Sequence, residues 1–169
     1  MRAGELWGLR WKDVLWQESL IRVEQTCDKN DRSLKIGTKG RKMRYVPLTS
    51  ESFKVLDDHK SEIKHSNCEL VFHTYGRPLG HRNFLRDFWG KDMKIVEREL
   101  GLRAIRFHDL RHTSATLMLH QGIEPSEVQQ ILGHSSILVT MRYVHLLGNK
   151  SAQKAAKHFG TGMLKRLSG

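Results

Sequence analysis

Residues 106–143, RFHDLRHTSATLMLHQGIEPSEVQQILGHSSILVTMRY, constrain this chain more than any other stretch. His108 and Arg111 stand three residues apart, His134 follows a Leu-Gly step, and Tyr143 comes nine residues after that histidine. Positions three apart on a helix share a face, so His108 and Arg111 can converge on one small target. Arginine offers a planar fork of donors that matches phosphate, and histidine donates to, or exchanges a proton with, the same group. A tyrosine hydroxyl brought to that site is a candidate nucleophile.

Charge points the same way. The formal net charge is +11 and the pI near 10.0, which implies a polyanionic partner, because each phosphate neutralised by Lys or Arg releases counterions. Between residues 32 and 44 there are six Lys/Arg and no acid, and after Glu127 no Asp or Glu occurs at all. Two acid-free basic tracts flanking the opening stretch fit a nucleic-acid footprint better than a generally solvated surface. A membrane surface is the rival partner. The chain has no basic amphipathic segment with an aromatic face, no bilayer-length apolar run and no signal-peptide core. Cys27 and Cys68 have neither metal nor redox spacing, so a reducing cytoplasm is expected. A length of 169 residues suits one domain with a real core.

Residues 2–10 read as a short helix with Leu6 and Leu9 apolar, and no N-cap precedes it. That predicts a fragment whose N-terminal part lies elsewhere. Residues 19–47 change to strand patterning: SLIRVEQT, LKIG and MRYVPL read as a three-stranded antiparallel sheet, its last two runs joined by a basic hairpin tip, TKGRK. Thr49 or Ser50 caps a helix to about residue 65, with Phe53, Leu56 and Ile63 inside. LVF then leads into a turn at YGRPLG. Further helices are expected at 81–100 (burying Phe84, Phe88, Met93 and Val96), 108–121, 126–132 and from Ser135 or Ser136 onward, with a last piece at 150–158. Ile137, Met141 and Val144 form the apolar stripe of the helix carrying Tyr143, which lies off it. The fold class is α+β, mainly helical with a small antiparallel sheet.

Several motifs in order resemble the catalytic domain of the tyrosine recombinase (phage integrase) family over nearly the whole chain. RAGELWGLRWKDV resembles the family's first box and identifies Arg2 as the first catalytic arginine. TKGRKMRYVPL resembles the β-hairpin that carries the family's lysine, which falls on Lys39. HDLRHTSAT matches the His-x-x-Arg box, giving His108 and Arg111, and LGHSSILVTMRYVH matches the third box, giving His134 and the nucleophile Tyr143. The resemblance implies the tyrosine recombinase catalytic-domain fold. It also implies site-specific DNA recombination or integration through a 3′-phosphotyrosyl intermediate, with a free 5′-hydroxyl that can reverse the attack.

The chemistry explains these residue types. Arg2 and Arg111 would cancel the phosphodiester charge and hold its non-bridging oxygens in the transition state, with His134 as a third donor. A free tyrosine titrates near pH 10, so His108, or the field of the arginines, would help remove its proton. Lys39 is the family's usual donor to the leaving 5′-oxygen, with Lys42 its competitor. Arg41, Lys42 and Arg44 are expected to touch DNA phosphates. Glu5 and Asp109 read as groups that orient the arginines. His112, at i+4 from His108, has zinc-type spacing but no third ligand and is expected to pack or hydrogen-bond locally. No metal or cofactor is needed, because guanidinium groups do the work of a metal pair.

The expected partners are double-stranded DNA and a helical core-binding domain in the longer protein. The resemblance implies a tetramer on paired sites, a monomer or weak oligomer for this fragment alone, and a bacterial cytoplasmic, nucleoid-associated location. Residues 150–167 read either as a segment exchanged between subunits or as a packed terminal helix. The competing functions are type IB topoisomerase-like relaxation and an inactive DNA-binding module.

Overall fold

The computed structural model describes residues 1–37, 43–63 and 67–144. The helix at 150–158, the hairpin tip with Lys39, Arg41 and Lys42, and the last residues of the 50–65 helix lie wholly or partly outside them. The chain divides into two compact units, residues 1–111 with 130–133, and residues 112–129 with 134–169.

The first unit opens with α1 (Ala3–Trp7), shorter than the sequence suggests, followed by a 3-10 turn at Trp11–Asp13. Arg2 itself is the extended N-cap residue, and Glu5 reaches back to accept from its amide at 2.6 Å. This side of a capping box is supplied from within the chain, not by a preceding cap. Trp7 (3% exposed) anchors an aromatic cluster with Phe72, Phe84 and Phe107, its closest ring centroid being that of Phe84 at 4.8 Å.

The strands are β1 (Val14–Leu15), β2 (Leu20–Val23), β3 (Gln25–Cys27), β4 (Leu34–Ile36) and β5 (Arg44–Pro47). The three-stranded sheet has the order β1-β2-β5, all antiparallel, with Ile21 opposite Val46. The expected strand SLIRVEQT is broken at Glu24, so that β3 leaves the sheet and pairs with β4, Thr26 opposite Lys35. LKI therefore belongs to a separate ribbon, and the third place in the sheet goes to Val14–Leu15. At the break Glu24 pairs with Arg10, and its carbonyl accepts from Gly37. Leu9, Val14, Ile21, Val23, Leu56 and Val71 form the core beneath the sheet.

Thr49 caps α2 (Ser50–Glu62) by accepting from the Ser52 amide. Strands β6 (His73–Thr74) and β7 (Arg77–Pro78) turn at Tyr75 and Gly76, both at positive φ, as a two-residue hairpin requires. The expected long helix is α3 (His81–Phe84) and α4 (Gly90–Leu100), joined through a π-helical turn, Leu85–Trp89. None of its residues is fully buried, and Phe88 is 59% exposed, against the expectation of a buried apolar side. The inserted residue of a π turn shifts the helical register, so one 3.6-residue stripe does not describe both halves.

Helix α5 (Asp109–His120) ends before Gly122, which has positive φ. Helix α6 (Pro125–Leu132) has proline in its first turn and ends at Gly133, φ +67°. In the second unit α7 (Ile137–Val144) is started by Ser136, whose hydroxyl accepts from the Leu138 amide. Its fully buried residue is Thr140, while Ile137 is exposed, so the expected apolar stripe is not what α7 buries.

Candidate active site

In the first unit three arginines converge on one helix end. Arg44 Nε donates to the Ile131 carbonyl (3.0 Å), Arg111 Nη2 to the Leu132 carbonyl (2.6 Å) and Arg2 Nη2 to the Gly133 carbonyl (2.8 Å). Terminal helix carbonyls lack intrahelical partners and carry the negative end of the macrodipole, so cations are favoured there. Arg111 is 8% exposed, and the Arg2 side chain is 26% exposed.

Glu5, 3% exposed, ties this group together. Its Oε1 accepts from Arg2 Nη1 (3.1 Å) and Arg44 Nη1 (3.1 Å), and its Oε2 accepts from Arg44 Nη2 (2.7 Å). Burial alone would raise the Glu5 carboxyl. The Arg44 hydrogen bonds, the Arg2 amide and both guanidinium charges outweigh it and bring the carboxyl down to about 2. Glu5 thus orients Arg2 as expected. Arg44, read from sequence as a DNA contact, instead has its Nε and both terminal nitrogens engaged inside the protein, with the side chain 11% exposed. Asp109 holds Arg106, from the amide at 2.9 Å and Nη2 at 2.8 Å. His108 precedes α5 with an exposed side chain, and its carbonyl accepts from the Arg111 amide.

The second unit holds the tyrosine. Tyr143, half-buried, has its hydroxyl 2.5 Å from Nδ1 of His112. His134 stacks on the tyrosine ring, centroids 6.2 Å apart and planes 15° from parallel, and its Nδ1 pairs with the Thr140 hydroxyl at 2.8 Å. His112, expected to pack or hydrogen-bond locally, instead pairs with Tyr143. Thirty-one residues separate the two, and no local pattern signals such a contact. Thr140 likewise carries no mark in the sequence, since only its burial distinguishes it from a surface threonine.

Elsewhere in the first unit, Lys29, Arg32, His81 and Arg82 line a hollow of about 210 Å³ whose walls include no carboxylate. The Trp7 indole N–H donates to His81 Nδ1 at 3.4 Å. An indole N–H only donates, so Nδ1 carries no proton and the other ring nitrogen is the donor. Among the described residues no helix is long and apolar enough to cross a membrane.

The model of the phage integrase family matches residues 1–150. The chain is 28% identical over 169 residues to the ICEBs1 integrase of Bacillus subtilis, an alignment covering 93% of this chain and 45% of that protein. It is 34% identical over 135 residues to the tyrosine recombinase XerC of Staphylococcus carnosus, covering 75% and 42%. Among solved structures, XerA recombinase superposes with a TM-score of 0.68 at 28% identity, covering 93% of this chain and 53% of that one. The Tn1549 transposon integrase in complex with a circular intermediate DNA gives a TM-score of 0.74 at 21% identity, covering 85% and 49%. The chain thus spans about half the length of the curated relatives it matches.

Proposed function

The chain belongs to the phage integrase family, and from that premise we propose that it cleaves and rejoins DNA strands in site-specific recombination. Tyr143 attacks the scissile phosphate and holds it as a 3′-phosphotyrosyl ester. Arg2 and Arg111 neutralise the phosphate charge, His134 adds a donor, and Lys39 protonates the leaving 5′-oxygen. The observation that carries this reading is the anchoring of Arg2 and Arg111 on the adjacent carbonyls of Gly133 and Leu132. Two guanidiniums held by fixed acceptors are already oriented before substrate arrives, which is how charge stabilisation becomes rate enhancement. The imidazole stacked on Tyr143 supports His134 in the same chemistry.

Double-stranded DNA is the proposed partner; the Tn1549 integrase was solved in complex with a circular intermediate DNA, and the net charge of +11 supports the reading. A core-binding domain in the longer protein, a tetramer on paired sites, and work on the bacterial nucleoid belong to the same proposal. The test is trapping on radiolabelled suicide DNA that loses a short 5′-hydroxyl strand after cleavage. Wild type is expected to form a covalent adduct and Tyr143→Phe none. An adduct that persists in Tyr143→Phe removes the nucleophile assignment. A wild-type protein that binds DNA but never forms the adduct is a binding module.

A further inference from the structure

The hydroxyl of Tyr143 meets a residue to which the sequence pattern assigned no chemistry. His112 Nδ1 lies 2.5 Å from Tyr143 Oη, the ring centroids are 5.7 Å apart, and the planes meet at 35°. The contact joins α5 to α7 within the second unit. The backbone of His112 is ordinary helix, its carbonyl accepting from Thr116 Oγ1 at 3.1 Å, so the side chain alone makes the special contact. His134 meets the tyrosine face to face and has its own Nδ1 on Thr140, which leaves His112 the imidazole aligned with the phenolic O–H. His112 and Tyr143 are both half-buried.

We propose that His112, in the role the sequence reading gave to His108 or the field of the arginines, is a catalytic residue that accepts the phenolic proton as Tyr143 attacks. The proposal rests on the strand-cleavage reading above. The Oη–H bond breaks and its proton moves to Nδ1, giving an imidazolium. The Oη–P bond forms, the P–O5′ bond breaks, and the departing 5′-oxygen takes a proton from Lys39. On rejoining, the incoming 5′-hydroxyl gives its proton to Lys39 as its oxygen bonds to phosphorus, the Oη–P bond breaks, and the imidazolium returns its proton to Oη. The working resting form has Nδ1 unprotonated and the proton on the other nitrogen, so that Tyr143 donates. Among the described residues His134 is the other titratable group in ring contact with Tyr143, and the charged residues adjoining the pair in sequence are Arg142 and Arg111.

Single-turnover adduct formation is measured against pH for wild type, His112→Gln and His112→Phe, each with natural tyrosine and with a fluorinated tyrosine of lower pKa at position 143. The glutamine accepts a hydrogen bond but takes up no proton, and the phenylalanine keeps the ring packing. Wild type should gain rate as rising pH leaves more of the imidazole neutral and able to accept the proton. Both variants should lose that limb and about 10²–10³ in rate at neutral pH, with noncovalent DNA affinity unchanged. Fluorotyrosine should restore most of the lost rate, because a more acidic phenol needs less help from a base. A folded His112→Gln with the wild-type rate and profile overturns the proposal, as does a slow variant that fluorotyrosine leaves slow. Either result leaves the cleavage reading intact as long as wild type forms a Tyr143-dependent adduct. A wild type that forms none sinks both.

Discussion

Arg44 lies fork to fork on Glu5, Nη1 to Oε1 at 3.1 Å and Nη2 to Oε2 at 2.7 Å, and both side chains are withdrawn from solvent. Strand β5 is thereby fastened to the helix that Arg2 caps. Arg44 shares the helix-end carbonyls with the two arginines proposed to act on phosphate, yet its own donors face inward.

Because a buried pair broken on one side leaves an uncompensated charge, Arg44→Met should destabilise the protein by about 3–5 kcal/mol in urea unfolding. Adding Glu5→Gln should recover part of that loss. Arg44→Lys, if folded, should bind DNA with an unchanged salt slope. A slope lower by about one unit would return Arg44 to the DNA surface.

The Glu5 carboxyl, held at about 2, carries a pH signature. Its folded pKa lies below its unfolded value, near 4.3, so its contribution is fully present above that value and is lost as pH falls toward 2. Stability should drop by about 3 kcal/mol across this window. Glu5→Gln, followed by denaturant titration at several pH values, should remove that component of the acid slope. An unchanged slope would mean that Glu5 is not paired this way in solution.

Gly133 has φ +67°, and a Cβ there would stand 2.9 Å from Nε and Cζ of Arg44. Gly101 has φ +63° with nothing within 4 Å of such a Cβ. Gly101→Ala should therefore lose only the left-handed backbone preference, about 1–2 kcal/mol. Gly133→Ala should lose more and should slow adduct formation by disturbing the arginine anchor. Equal losses for the two would show that Arg44 moves aside freely.

The hollow lined by Lys29, Arg32, His81 and Arg82 presents cationic donors and no carboxylate, the charge that suits a backbone phosphate. Arg82→Ala should weaken DNA binding similarly on unrelated sequences and reduce the salt slope by about one. Weakening confined to one sequence would instead mark a base contact.

Much of the local structure is legible in the chain itself. Thr49 and Ser136 start helices, Gly122 and Gly133 stop them, and Tyr75-Gly76 makes a turn, because caps and left-handed positions depend on a few adjacent atoms. The candidate residues Arg2, His108, Arg111, His134 and Tyr143 could be named from sequence too, because residue type and spacing along the chain are all that the resemblance uses. Pairing across distance is not legible. Nothing in SLIRVEQT announces that it breaks at Glu24, because strand partners are chosen by burial and by side chains such as Arg10 that are remote in sequence.

For the same reason, sequence by itself determined which residues have the right chemistry, and tertiary structure decided what each one touches. Arg44 and Arg82 are equally basic in sequence, yet one is enclosed by Glu5 and a helix end while the other faces a hollow. His112 is one more histidine until α7 brings a tyrosine hydroxyl to its Nδ1. A side chain's role follows from its solvation and its partner, and both are set by segments far away in the chain.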